Sequence, residues 1–495
     1  MDADTLDQVL LAGSVILLLA ILAVRASARV GLPSLLIYLV MGILLGESVY
    51  GVQFDDAQTA HALGFAALVV ILTEGGLTTK WKDVRPGIGV GVMLATVGVA
   101  VSLLIVAVVA RFALDLSWEA AFLIGAITAP TDAAAVFTVL RKVPLRPSLR
   151  GILEAESGLN DAPTVLLVVL LSESHGIEGG VFGFIGIVIL ELVGGVVAGT
   201  AVGLAGVWVL RRVALPASGL YPITVLAFAA LSYAGSAALH LSGFAAVYVT
   251  ALWLGNSDLP HRGSTRSFAE GLAWLAQIGL FIMLGLLVSP NQIGTEHLVG
   301  GLIIGAALTL VARPVSAVVS AMPLRLPLRE QAYLSVAGLR GAVPIVLATI
   351  PVASGVPRSS DIFNLVFVLV VILTVVTSPL LPWMATVLGV TEERPRDAEV
   401  EAAPLERIDA DLLQVLITHK SRLHGVEIGE LRLPPGTSVS LIVRDETSFT
   451  PGRNTALKRG DELLVVTPRG DREATERRLQ EVSRRGRLAG WSGDG

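Results

Sequence analysis

The chain has 495 residues, of which 53% are hydrophobic and 16% charged, and its mean hydropathy is +0.74. A soluble protein of this length carries about 25% charged residues, so the composition is that of an integral membrane protein with a soluble appendage. The formal net charge of -5 identifies no partner; 0 cysteines exclude disulfides and thiolate metal sites, and no basic patch with interleaved aromatics supports nucleic-acid binding.

The chain opens MDADTLDQ, which is acidic where a cleavable signal peptide has a basic region, so the first apolar run is expected to be retained. Apolar runs long enough to span a bilayer, or nearly so, then fall near 8–24, 32–49, 61–79, 87–110, 119–140, 151–172, 181–210, 221–239, 242–255, 271–289, 296–319, 331–351 and 362–388, about thirteen segments. Alternate loops hold Arg25, Arg29, Lys80, Lys82, Arg85, Arg141, Lys142, Arg146, Arg150, Arg211, Arg212, Arg262, Arg266, Arg313, Arg325 and Arg329. The intervening loops hold only Arg111 and Arg358. By the positive-inside rule this bias predicts the N-terminus outside and the C-terminus in the cytoplasm.

After Val390 the composition changes. The stretch TEERPRDAEVEAAP is charged and reads as a linker over 391–404. Residues 405–485 read as a small cytoplasmic α/β domain, with strands at 411–417, 439–444 and 463–467, a turn at Lys458–Asp461, and an amphipathic helix from Arg472 to Val482. Residues 486–495 are expected to be disordered.

Two polar stretches interrupt the apolar segments: Thr128-Ala129-Pro130-Thr131-Asp132 in the fifth and Glu154-Ala155-Glu156-Ser157-Gly158-Leu159-Asn160-Asp161 in the sixth. A carboxylate in hydrocarbon is costly and marks a partner or a watery cavity. On a helix Glu156 with Asn160, and Ser157 with Asp161, lie four apart on neighbouring faces. Burial and a nearby cation push a carboxylate's proton affinity in opposite directions, so Asp161 can hold either a proton or a cation. The plainer alternative is a set of polar groups satisfying one another between helices. Pro130 frees carbonyls one turn back, and with Thr131 and Asp132 these make a hard oxygen site for an alkali cation. Here the alternative is a proline kink with Asp132 capping the half-helix that follows.

In the twelfth segment Arg340 stands between Gly338 and Gly341. A buried guanidinium needs a carboxylate, and Glu156 and Glu154 are the candidates; an anion-binding arginine is the other reading. The fifth and twelfth segments both carry breaks and lie an odd number of spans apart, the arrangement of an inverted repeat around a transport site. Glu74, in ILTEGGL, either lines the ion route or is a solvated cap. Glu191 and Tyr38 have no role legible in the sequence, and His240 reads as interfacial. There is no P-loop, Ser/His/Asp arrangement or His-rich metal spacing, so nothing points to an enzyme or a resident cofactor.

The runs GLPSLLIYLVMGILLG, ILTEGGL, ITAPTDAAAVFTVLR, EAESGLNDAPTVLL and GLRGAVPIVLATIP resemble the first family of bacterial monovalent cation–proton antiporters over about residues 8–390. The resemblance implies a multi-pass helical fold with inverted repeats and crossed, interrupted helices, working as a homodimer in the cytoplasmic membrane. It implies Asp161 as the carboxylate that alternates between proton and cation, with Asp132, Ser157 and Thr131 as further ion ligands. It also implies Asn160 as the residue orienting the site, Glu156 as the acid paired with Arg340, and Glu74 as an acid near the cytoplasmic route. Members with Asn before the Asp generally exchange one proton for one cation, so Asn160 implies electroneutral exchange. The tail resembles the C-terminal (TrkA-C) subdomain of potassium-conductance regulators at Gly425, Ile428, Leu431, Pro434–Ile442, Arg444 and Gly460–Val465. Such a tail implies a small regulatory ligand and tilts the substrate from sodium to potassium. A ligand-gated cation channel and a sodium-selective antiporter are the alternatives.

Overall fold

The computed structural model describes the whole chain except residues 1–2, 31–33, 47–53, 55, 133–142, 144, 173–179, 392–398, 406–409, 419–420, 445–446 and 487–495. The chain divides into two compact units, Met1–Thr391 and Glu392–Gly495.

The first unit is helical among its described residues. It runs through α1 (Ala3–Val30), α2 (Ser34–Leu45), α3 (Ala57–Thr78), α4 (Ile88–Ala113), α5 (Trp118–Thr128), α6 (Pro147–Leu159), α7 (Asp161–Ser172), α8 (Gly180–Arg212), α9 (Leu220–Ala238), α10 (Gly243–Asn256), α11 (Arg262–Leu287), α12 (Thr295–Leu324), α13 (Leu328–Val336), α14 (Ala342–Ala353) and α15 (Ser359–Val387). Seven of these are long and apolar enough to cross a membrane unaided, and shorter apolar helices accompany them. The apolar stretches read from the sequence coincide with these helices or with pairs of half-helices, except 32–33 and 47–49 of the second and 133–140 of the fifth, which lie outside the described residues.

Helix starts follow local chemistry. Asp56 Oδ1 accepts from the Gln58 and Thr59 amides at 3.0 and 3.2 Å and caps α3. Ser117 and Ser242 do the same for α5 and α10, and Pro147 supplies the first residue of α6. α2 packs on α11 with backbone against backbone: a Cβ at Gly42 would meet the Gly285 Cα at 2.8 Å, so both positions need glycine. Along α8, Leu190, Val193, Val197 and Trp208 are exposed, as expected of a surface that meets lipid.

Irregularities recur seven segments apart. α4 contains a π turn at Leu94–Gly98, and α12 contains one at Leu308–Ala312. Pro314, which cannot donate to the carbonyl four residues back, accounts for the second. The chain after α5 and the chain between α13 and α14 are both non-helical, at Pro130–Asp132 and Ala337–Gly341.

The second unit is a five-stranded antiparallel sheet in the order β1-β2-β5-β3-β4, followed by helix α16 (Arg472–Arg485). The strands are β1 (Glu399–Leu405), β2 (Ala410–Leu416), β3 (Ser438–Arg444), β4 (Thr447–Phe449) and β5 (Glu462–Pro468). β2, β3 and β5 are the strands expected from the sequence. β1 corrects the expectation for its stretch: residues 399–404, which composition marks as linker, pair along β2 from Glu399↔Leu416 to Leu405↔Ala410. Charge density signals a linker only when no neighbouring strand offers an open edge, and here β2 does. Alternate side chains of β5 point into a core of Leu413, Val415, Ile442, Leu463, Val465 and Leu479. Asp461, wholly buried, ties the Lys458–Asp461 turn to β3: Arg444 Nε and Nη2 donate to its two oxygens at 2.7 Å each, and the Lys458 amide donates at 2.7 Å. The expected disordered tail lies outside the described residues from 487 onward.

Candidate functional site

The two breaks meet. α5 ends at Thr128, so its last carbonyls have no helical partner: Pro130 has no amide for the Ala126 carbonyl, and the Asp132 amide, which would serve Thr128, goes to Leu339 instead. Arg340, from the break before α14, fills that gap: its Nε donates to the Thr128 carbonyl at 2.8 Å and its Nη2 to the Ala129 carbonyl at 3.0 Å. Its Nη1 donates to the Gly338 carbonyl at 3.0 Å. In return Asp132 caps α14, its Oδ2 accepting from the Ala342 amide at 2.7 Å, while its own amide donates to the Leu339 carbonyl at 3.0 Å. A cation thus sits at the negative end of one half-helix and an anion at the positive end of another. Thr374 of α15 braces the crossing by donating to the Arg340 carbonyl at 2.8 Å.

This geometry corrects two expectations, for Arg340 and for Arg313. Among the described residues Arg340 makes no ion pair with Glu156; its hydrogen bonds go to backbone carbonyls at a helix terminus instead. Asp132 caps α14, a role the sequence did not suggest, while the chain that follows it lies outside the described residues from 133 to 142. Glu156 has a different partner, Arg313 of α12, whose Nη1 and Nη2 approach its two oxygens at 2.5 and 2.8 Å. Arg313 Nε donates to the Leu334 carbonyl at 3.1 Å, and a Cβ at Gly338 would collide with the guanidinium. Arg313 is 5% exposed, so it is no loop charge, and the tally of basic loop residues falls from sixteen to fifteen against two. The sequence signal was present: Arg313-Pro314 lies inside an apolar run of nearly thirty residues, where a charge needs a partner.

Against this crossing lies the bend between α6 and α7. Pro163 cannot donate to the Leu159 carbonyl, and the helix axis is interrupted at Asn160. The bend presents Ser157, Asn160 and Asp161 to the end of α5. Thr131 Oγ1 lies 3.0 Å from Ser157 Oγ, and Asn160 Nδ2 donates to Thr131 Oγ1 at 2.7 Å. Asp161 is 2% exposed, and among the described residues its Oδ1 has no hydrogen-bond partner; Asn160 Oδ1 has none there either. Asp132 is close enough to Asp161 for their charges to interact. Thr131, Asp132, Ser157, Asn160 and Asp161 are therefore assembled in one buried place.

Two acceptors left without donors beside two hydroxyls make an oxygen-rich pocket that a proton or a bare alkali cation would complete. Glu74 sits apart, in the last turn but one of α3. It is buried, which removes the solvated-cap alternative. Beyond it, Asn256 at the end of α10 accepts from the Trp81 amide at 2.8 Å and donates to the Thr79 carbonyl at 2.9 Å, closing that end of the helix pair.

A multi-pass helical protein with an acid buried at the crossing of interrupted helices is a secondary ion transporter. Residues 14–387 match the family described as sodium/hydrogen exchanger, transmembrane, and residues 412–480 match the TrkA-C domain. The chain belongs to the sodium/hydrogen exchanger family and carries a TrkA-C domain; it is a transporter and not an enzyme. Among its relatives is the K(+)/H(+) antiporter NhaP2 of Shewanella baltica (strain OS223), 33% identical over 100% of this chain and 87% of that protein. The K(+)/H(+) antiporter NhaP of Alkalimonas amylolytica is 33% identical over 94% of this chain and 82% of its own. The solved structure of the sodium proton antiporter MjNhaP1 from Methanocaldococcus jannaschii at pH 8 shares the fold, with a TM-score of 0.65 and 22% identity over 78% of this chain and all of that one.

Proposed function

We propose that this protein exchanges potassium for protons across the bacterial cytoplasmic membrane, with Asp161 as the group that carries one or the other. The observation that carries the reading is the buried Asp161 oxygen that has no hydrogen-bond partner among the described residues, beside Ser157, Thr131 and Asn160. A neutral carboxyl holds the proton; ionised, the same group binds a cation together with the neighbouring oxygens and Asp132. Because the two occupants compete for one carboxylate, inward and outward fluxes are coupled. Asn160 in place of a second acid supports one proton per cation. Potassium is preferred to sodium because relatives matching nearly the whole chain are named K(+)/H(+) antiporters and because the TrkA-C tail accompanies the transport unit.

The loop charges support an outside N-terminus, a transport unit over residues 1–390 and a cytoplasmic regulatory domain over 405–485 that responds to a small ligand. The exposed apolar helix faces are suited to a homodimer in the bilayer. The test is proton flux in everted vesicles: an imposed pH gradient is followed with a dye while KCl, NaCl or choline chloride is added. Potassium should collapse the gradient and choline should not, and Asp161→Asn should abolish the response while the protein still inserts. Full exchange by Asp161→Asn would overturn the mechanism; collapse by sodium alone would overturn the substrate.

A further inference from the structure

Glu191 is the sole charged residue of α8 before Arg211. An acid in such a helix needs a reason. Among the described residues its carboxylate makes no hydrogen bond and no ion pair; only the charge of His240 is within electrostatic reach. The Ser242 amide donates to the Glu191 carbonyl at 3.0 Å, which fixes Glu191 level with the turn between α9 and α10.

That carboxylate lines a cavity of about 400 Å³ together with Phe65 of α3, Pro163 and Leu166 of α7, Tyr233 of α9 and His240. The cavity therefore touches α7 in its first turn, two residues beyond Asp161. Packed rings bound it: Phe244 meets Phe65 edge-on at 5.1 Å between centroids and Tyr233 at 5.2 Å. It lies at the N-terminal end of α10, whereas Asn256 and the chain around Thr79 close the C-terminal end. Glu74 and Glu191 thus lie toward opposite ends of α10. A larger cavity of about 870 Å³ lies elsewhere, between the ends of α5, α7, α12, α14 and α15. Three acids line it, Glu119, Glu296 and Asp361, of which Asp361 is held by Arg358 at 3.0 Å.

We propose that the Glu191 cavity is a second monovalent-cation subsite, on the membrane face away from the basic loops, through which ions enter or leave the Asp161 pocket on that side. The inference rests on the proposed exchange function. An unpaired carboxylate concentrates cations at the mouth, the rings exclude bulk water, and Pro163 ties the wall of the cavity to the helix that carries Asp161.

The chain has no native cysteine, so single cysteines can be read without background. Leu166→Cys should react with a membrane-impermeant cationic thiol reagent in right-side-out vesicles and not in everted ones, detected as a mass shift. The modified protein should lose exchange, and potassium should slow the reaction. In transport, Glu191→Gln should raise the apparent KM for potassium offered from that face by roughly fivefold, the scale of one nearby charge in a watery setting. The KM from the opposite face should not move, and Glu191→Asp should restore the wild-type value. A merely structural Glu191 would shift both faces together or lower kcat alone, and either result overturns the proposal, as does a modified Leu166→Cys that still exchanges. The mass shift is read without transport. It reports on the cavity even should the wild-type chain exchange nothing, an outcome that would instead overturn the proposed function.

Discussion

The pair Arg313–Glu156 is buried on both sides, with two hydrogen bonds between the charged groups. Removing one partner leaves an uncompensated charge in the protein interior, which costs about 3–5 kcal/mol. Arg313→Met should therefore lower the melting temperature in detergent sharply, and Arg313→Met with Glu156→Leu should recover part of the loss. Equal melting of the single and double variants would show that the pair is not the source. Gly338→Ala should act in the same direction, since the new methyl group would occupy the space of the guanidinium. At this scale the sequence was half legible. It marked Asp161, Asn160, Ser157, Thr131 and Asp132 as polar groups where hydrocarbon should be, and the fold gathers them. It could not tell which arginine serves Glu156, because both Arg313 and Arg340 lie beside helix breakers. The choice depends on how α12 and the second break pack in space, and no local pattern encodes that.

Between elements, the crossing depends on reciprocal capping. Asp132→Asn keeps an acceptor for the Ala342 amide, while Asp132→Ala removes it. The alanine variant should lose about 1–2 kcal/mol of stability and the asparagine variant far less. Both should impair exchange, because both remove a charge beside Asp161. A thermal scan paired with the vesicle assay separates the two contributions; equal stability of the two variants would refute the capping role. Pro130 and Pro163 made the breaks visible in the sequence, since a missing amide has a fixed structural consequence. The π turns in α4 and α12 were not visible. Only Pro314 hinted at the second, and Leu94–Gly98 contains no proline at all.

For the molecule as a whole, each unit has its own apolar core. A chain ending near residue 395 should insert and still exchange potassium for protons, with any response to cytoplasmic ligands gone. Loss of insertion would mean that the tail is needed for assembly. Asp461→Ala, which removes the carboxylate joining Arg444 to the Lys458–Asp461 turn, should lower the melting temperature of the second unit and leave that of the transport unit unchanged; an unchanged second unit in calorimetry would refute this role of Asp461. The separation into two parts was legible from the fall in hydropathy after Val390. The strand at 399–405 was not, because its place is fixed by the edge of β2.

The charges around the crossing also balance. Among the described charges at the crossing, Arg340 and Arg313 match Asp132 and Glu156 in number, and Asp161 is the fifth. On the proposed mechanism, a pocket with one uncancelled negative charge is neutral whether a proton or a potassium ion fills it. The loaded carrier then crosses without sensing membrane voltage. Left to itself, it stops only when the potassium concentration ratio across the bilayer equals the proton ratio. The cell's internal pH and its potassium store would then be two readings of one quantity, and a closed tail would be what allows them to differ.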